Sequence, residues 1–275
     1  MAHPAQHSSS RPAGSTWSLP QLDRWLIVPL IVVLSTATVG RLLVYSPGVE
    51  AQESAVLQRI DALRPGALDA LALVLHHVFS TPGTFAIVAA LTVWLALRRR
   101  TPWDAAGFAL TALCGWAAIA LVKVAVGRPR PDATALADPL VVADGFTSFP
   151  SGHTGAALAV VVAFALAVRR SGRGPLVLGV GLGLAALVGL SRLHLGVHYP
   201  LDVLASLPVA WAGLAVGCGL ANLLVPALAF GFGWQQQDVR WHDAAPAPGR
   251  ESRAGSPRVA ERAPAAERPE DRRAA

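Results

Sequence analysis

The feature that leaves this chain fewest options is a set of six apolar stretches, the first beginning at Trp25 and the others covering roughly 83–98, 105–126, 152–168, 175–190 and 203–228. An α-helix needs ~20 residues to cross the hydrocarbon core of a bilayer, and within lipid the backbone must satisfy its own hydrogen bonds, which helices do. The shorter stretches must draw in flanking residues or thin the local membrane. Composition agrees: 53% of residues are hydrophobic, 15% are charged, and mean hydropathy is +0.47, too apolar for an ordinary soluble domain. The expected fold is all-α, a polytopic bundle of six transmembrane helices. Abundant small residues let such helices approach closely.

Between the first two spans the chain becomes polar. The stretch 46–66 contains "ESAVLQRIDAL", with apolar residues at helical spacing, which predicts a short surface helix. Pro82 and Gly83 separate the second span from 67–79, which reads as an interfacial helix, with His76 and His77 as packing residues. Residues 1–20 are rich in Ser, Pro and Gly and lack a secretory signal pattern; they read as a flexible cytoplasmic leader, 21–230 as the six-span domain, and 231–275 as a disordered cytoplasmic tail.

Arginine clusters at 98–100 and 169–173 mark two short connections as cytoplasmic. Both termini are then cytoplasmic, and the loops 127–151 and 191–202 are external. The net charge of +6 therefore reflects topology; no basic run interleaved with aromatics suggests nucleic acid. Cys114 and Cys218 lie inside apolar stretches and read as buried structural thiols. Arg41 reads as an anchor at the end of the first span.

Polar residues concentrate at the expected external ends in three clusters: "KVAVGRPRP" (123–131), "FPSGH" (149–153) and "SRLHLGVHYPLD" (191–202). Ionisable groups at membrane depth are costly unless paired or functional. Lys123, Arg130 and Arg192 supply cations suited to a tetrahedral oxyanion. Ser151 and Gly152 stand where the fourth span begins, so backbone N–H groups and the positive helix end would face the same anion. His198 precedes Asp202 by four residues, with Pro200 in the first helical turn, so the carboxylate can orient an imidazole that acts as nucleophile while His153 protonates the leaving oxygen. No His/Cys/carboxylate spacing suggests a metal, and no cofactor is expected.

These residues, Lys123, Arg130-Pro131, Pro150-Ser151-Gly152-His153, Ser191-Arg192, His198 and Asp202, match in order and spacing the signature K-x6-RP, PSGH and SR-x5-H-x3-D. The chain thus resembles the type-two phosphatidic acid phosphatase superfamily over roughly 20–228. The resemblance implies a six-helix membrane enzyme that removes phosphate from a lipid phosphate or diphosphate without a metal, through a phosphohistidine. It implies His198 as nucleophile, Asp202 as its orienter, His153 as general acid, and Lys123, Arg130, Ser151, Gly152 and Arg192 as phosphate ligands. Arg128 and His194 adjoin the signature without belonging to it. Phosphatidic acid, phosphatidylglycerol phosphate and polyprenyl diphosphate all fit as substrates, and an Ala-rich, Arg-over-Lys composition suggests a GC-rich bacterial source and so a cell membrane setting. A lipid phosphotransferase would share the chemistry; a transporter would instead show broken helices and charges at mid-membrane.

Overall fold

The computed structural model describes residues 18–99, 102–141 and 147–231. Among them eight α-helices follow in order: α1 Ile27–Val44, α2 Pro47–Leu63, α3 Asp69–Val78, α4 Thr81–Arg99, α5 Pro102–Val126, α6 Gly152–Val168, α7 Gly174–His194 and α8 Pro200–Gly231. Six of them, α1 and α4 to α8, are long and apolar enough to cross a membrane, as expected for an integral membrane protein. Between the first pair of spans stand α2 and α3, where the surface and interfacial helices were expected.

The boundaries differ most from the sequence reading at α7 and α8, which lengthen into the polar stretch between them, whereas α6 keeps its expected limits. Ser191 and Arg192 lie within the last turn of α7, leaving only residues 195–199 as the connection to α8, where a loop 191–202 was expected. At 32 residues, α8 is about 48 Å long at ~1.5 Å per residue, well beyond the bilayer core. The second span starts at Thr81 with Pro82 in its first turn, where a missing N–H costs least; Ser80 Oγ accepts the Gly83 N–H at 3.3 Å.

At the centre, α5 packs against α8, α6, α4 and α1. The α5/α8 contact is close because α8 carries Gly213 and Gly217 four residues apart on one face, the small-residue spacing that lets helix backbones meet in lipid. A Cβ at Gly213 would lie 2.5 Å from the Cys114 carbonyl oxygen and 2.8 Å from Ala118 Cβ.

At the end of the bundle carrying the α6–α7 connection, Leu19 is pinned to α8: Asn222 Oδ1 accepts the Leu19 N–H at 2.6 Å, and Asn222 Nδ2 donates to the Leu19 carbonyl at 3.0 Å. The rest of the expected leader and the tail beyond Gly231 lie outside the described residues. Both cysteines are free thiols, Cys218 buried and Cys114 partly so.

Overpacking sets a direct test of the α5/α8 contact. Gly213→Ala is expected to cost about 1–3 kcal/mol, seen as a lower unfolding temperature in detergent. Gly179→Ala, where an added Cβ meets nothing within 4 Å, should leave that temperature within experimental scatter.

Candidate active site

The opposite end of the bundle gathers the C-termini of α5 and α7 and the N-termini of α6 and α8. Two glycines make this possible. Gly127 (φ 65°) turns the chain back sharply after α5. Gly196 (φ 65°) ends α7: its N–H donates to the Leu193 carbonyl (3.0 Å) and the Val197 N–H to the Arg192 carbonyl (3.1 Å), the paired bonds of a Schellman cap. Leu136 packs over Gly196 where a Cβ would sit, so the position excludes a side chain twice over.

The three sequence clusters are then stitched together. Lys123 Nζ donates to the Thr147 and Ser148 carbonyls at 3.0 and 3.2 Å. The Ser148 N–H reaches the Arg128 carbonyl at 2.7 Å, and Ser148 Oγ the Pro129 carbonyl at 2.8 Å. Arg130 Nη1 donates to the Val197 carbonyl at 3.1 Å. Loop segments distant in sequence thereby become one wall.

Asp202 occupies the third position of α8 and is fully buried. Its Oδ2 accepts the Tyr199 N–H at 2.9 Å, one arm of a capping box. Oδ1 pairs with Arg128 Nη1 at 2.9 Å, and Oδ2 lies 3.5 Å from His198 Nδ1. This last distance is at the outer limit of a hydrogen bond, and Nδ1 is buried without a closer partner. With the carboxylate facing Nδ1, the neutral imidazole keeps its proton there and leaves the Nε2 lone pair as its basic site. Burial, aided by Lys123 and Arg130 and opposed by Asp202, pushes the His198 pKa down to about 4, so the ring is neutral at physiological pH.

Arg128 is only 2% exposed and does not reach the cavity. Its Nη2 pairs with Glu53 Oε2 at 2.6 Å, and its Cζ lies 4.1 Å from the Tyr199 ring centroid, a cation–π distance. Glu53 Oε1 in turn accepts the Leu201 N–H at 2.8 Å, so α2 supplies a carboxylate cap to α8. Burial and the Glu50 carboxylate push the Tyr199 hydroxyl up to about 12, keeping it a neutral donor to Glu50 Oε1 at 3.2 Å.

In front of His198 lies a cavity of about 380 Å³ whose lining includes Lys123, Arg130, Gly152, His153, Arg192 and His198, with His76 and Trp116. No carboxylate is among its lining residues, so its field favours an anion. Of the eight residues expected at the site, six line it, and Asp202 stands behind His198. Ser151 departs from expectation: it is fully buried, its N–H donates to the Asp202 carbonyl at 2.9 Å, and its Oγ accepts from Thr154 Oγ1 at 3.0 Å. The α6 donors beside the cavity are consequently those of Gly152 and His153, which precede the first intrahelical bond, from the Gly155 N–H to the Ser151 carbonyl at 3.0 Å.

His76 corrects the sequence reading as a packing residue. Its ring stacks on His153 (centroids 5.1 Å, 20°), its Nδ1 is 2.8 Å from Arg192 Nη1, and its carbonyl is 3.1 Å from His153 Nε2. His194 instead bonds Asp69 Oδ1 at 2.7 Å. Sequence reasoning also missed Glu53; the only available signal was its place on the inward stripe of α2 with Leu57.

A family model described as the PAP2 superfamily matches residues 104–223, a stretch containing all eight expected site residues. The chain is 35% identical over 120 residues to undecaprenyl-diphosphatase BcrC of Bacillus subtilis, covering 44% of this chain and 59% of that protein. Similarity to the lipid A 1-phosphatase of Rhizobium johnstonii is 35% over 117 residues, or 38% of this chain and 46% of that one. The chain thus spans about half the length of these curated relatives. The fold is shared with the crystal structure of a transmembrane PAP2-type phosphatidylglycerolphosphate phosphatase from Bacillus subtilis, at TM-score 0.55 and 24% identity over 76% of this chain and 97% of that one.

Removing Arg128 leaves two buried carboxylates facing each other. Arg128→Leu is expected to cost about 3–5 kcal/mol, and adding Glu53→Leu should recover part of that loss. Denaturation of the single and double variants in detergent measures the coupling; simple additivity would contradict the bridging role of Arg128.

Proposed function

We propose that this protein is a membrane lipid phosphatase that hydrolyses the terminal phosphate of a lipid phosphate or diphosphate without a metal, through a phosphohistidine on His198. The observation that carries this reading is a neutral, carboxylate-backed histidine bordering a cavity with three cations and no carboxylate in its lining. A tetrahedral dianion fits such a lining, and the three cations with the first-turn N–H groups of α6 can meet the charge spread over its oxygens in the transition state.

In the reaction His198 Nε2 attacks phosphorus in line, the N–P bond forms, and the bond from phosphorus to the lipid oxygen breaks. His153 gives a proton to that leaving oxygen. Because the Nε2 proton of His153 is directed at the His76 carbonyl, Nδ1 of the imidazolium is the nitrogen that serves the substrate. Water then attacks phosphorus, His153 takes the water proton, the N–P bond breaks, and inorganic phosphate leaves.

Substrate enters from the leaflet that borders this end of the bundle. We assign this end to the external face and both termini to the cytoplasm, because Arg169 and Arg170 lie at the opposite end and short translocated loops hold fewer cations. An apolar anchor on the phosphate suits a cavity bordered by Phe79 and Trp116 and located where spans meet the membrane surface. Similarity to an undecaprenyl-diphosphatase and lipid A 1-phosphatases supports a lipid bearing a terminal phosphate.

His198→Ala should lower phosphate release from a lipid phosphate by at least about 10³-fold, and EDTA should not inhibit; wild-type rates in the variant would exclude the mechanism. Because the His198 pKa is depressed to about 4, the free ring stays neutral as pH falls through 6.5, and the acid limb of kcat/KM should lie below pH 5 once the ionisation of the substrate is divided out. Lys123→Met removes a charge that disfavours the imidazolium, so its acid limb should move upward. Parallel assays with an acceptor lipid would reveal a phosphotransferase by transfer in place of release.

A further inference from the structure

The short helix α3 reaches the cavity through one side chain, and that side chain and its carbonyl hold two residues of the site. Arg192 projects from the last turn of α7 and is fully buried. Its Nε and Nη2 donate to Ser191 Oγ at 3.2 and 2.9 Å, Nη2 also to the Ala72 carbonyl at 3.3 Å, and Nη1 to His76 Nδ1 at 2.8 Å. Ser191 belongs to the same helix as Arg192 and moves with it. Ala72 and His76 belong to another element, so they hold the guanidinium in register against the rest of the site.

A guanidinium is always a donor, so Nδ1 of His76 accepts and the proton of the neutral imidazole resides on Nε2. The same residue's carbonyl takes the Nε2–H of His153, and the two rings stack. We propose that His76 is a positioning residue of the phosphate site, its Nδ1 aiming Arg192 and its main chain fixing the tautomer of His153. The assignment rests on reading the cavity as a phosphate site. Without the Nδ1 acceptor, one arm of the guanidinium loses a buried partner and the group can swing on its long stem, which misplaces the second Nη1–H, the donor left to meet a phosphate oxygen.

Two substitutions separate the acceptor from the ring. His76→Phe keeps a ring to stack on His153 and removes the acceptor; His76→Asn places an amide oxygen near the Nδ1 position and removes the ring. Each full-length variant, purified in detergent and checked for wild-type elution and unfolding temperature, is titrated calorimetrically with orthovanadate as a phosphate mimic and assayed for kcat and KM. His76→Phe should weaken orthovanadate binding by about tenfold, as expected for one charge-assisted hydrogen bond, and raise KM more than it lowers kcat. His76→Asn should recover binding to within about threefold of wild type. Equal binding by His76→Phe and wild type, or equal losses in both variants, would overturn the proposal. Vanadate binding needs no turnover, so a wild-type protein that binds it but releases no phosphate from lipids would refute the hydrolase reading while the series still decides the role of His76. A wild type that binds no vanadate would refute both.

Discussion

The structure depends on how a buried guanidinium is neutralised at the edge of a bilayer. Arg128 cannot sit uncompensated in a low-dielectric site, and its two forks are met by carboxylates from elements far apart in sequence, Glu53 and Asp202. That requirement brings α2 down onto the end of the bundle and fixes where α8 begins. It also leaves Asp202 with one oxygen for Arg128 and the other for the Tyr199 N–H and the His198 ring, so the orientation of His198 follows from the same ion pair.

Helix ends do the remaining work because, within lipid, they are where backbone polar groups lack intrahelical partners. The α8 terminus is fully absorbed by Asp202 and Glu53, which cap the Tyr199 and Leu201 N–H groups. The α6 terminus is absorbed only in part: Ser151 gives its N–H to the Asp202 carbonyl, and the first-turn donors of Gly152 and His153 stand at the cavity. One N-terminus is therefore spent on structure and the neighbouring one borders the cavity, to which the C-terminal turns of α5 and α7 bring Lys123 and Arg192.

The six spans were legible because a bilayer demands a minimum apolar length, and that signal survives without tertiary information. The motif residues were legible as a group because cations, an oriented histidine and a helix start share one chemistry. Boundaries were less so: Ser191 and Arg192 are polar, which suggests a loop, yet they continue α7 because Arg192 finds its partners on α3. Ser151 was read as a donor to ligand because its neighbour Asp202 was taken as a side chain alone, whereas its main-chain carbonyl takes the Ser151 N–H. Glu53 and His76 were illegible for a common reason. Each sits on a short helix whose periodicity shows that it has an inward face but not which part of the bundle that face meets.

The proposed reaction turns on a covalent bond between His198 and phosphorus. Rapid acid-free quenching of wild-type protein with a lipid substrate labelled in its terminal phosphate, followed by peptide mapping, tests it most directly. Label is expected on the peptide containing His198, stable in base, lost in acid, and absent from His198→Ala. Label on another residue, or full turnover with no labelled enzyme at any quench time, would contradict it.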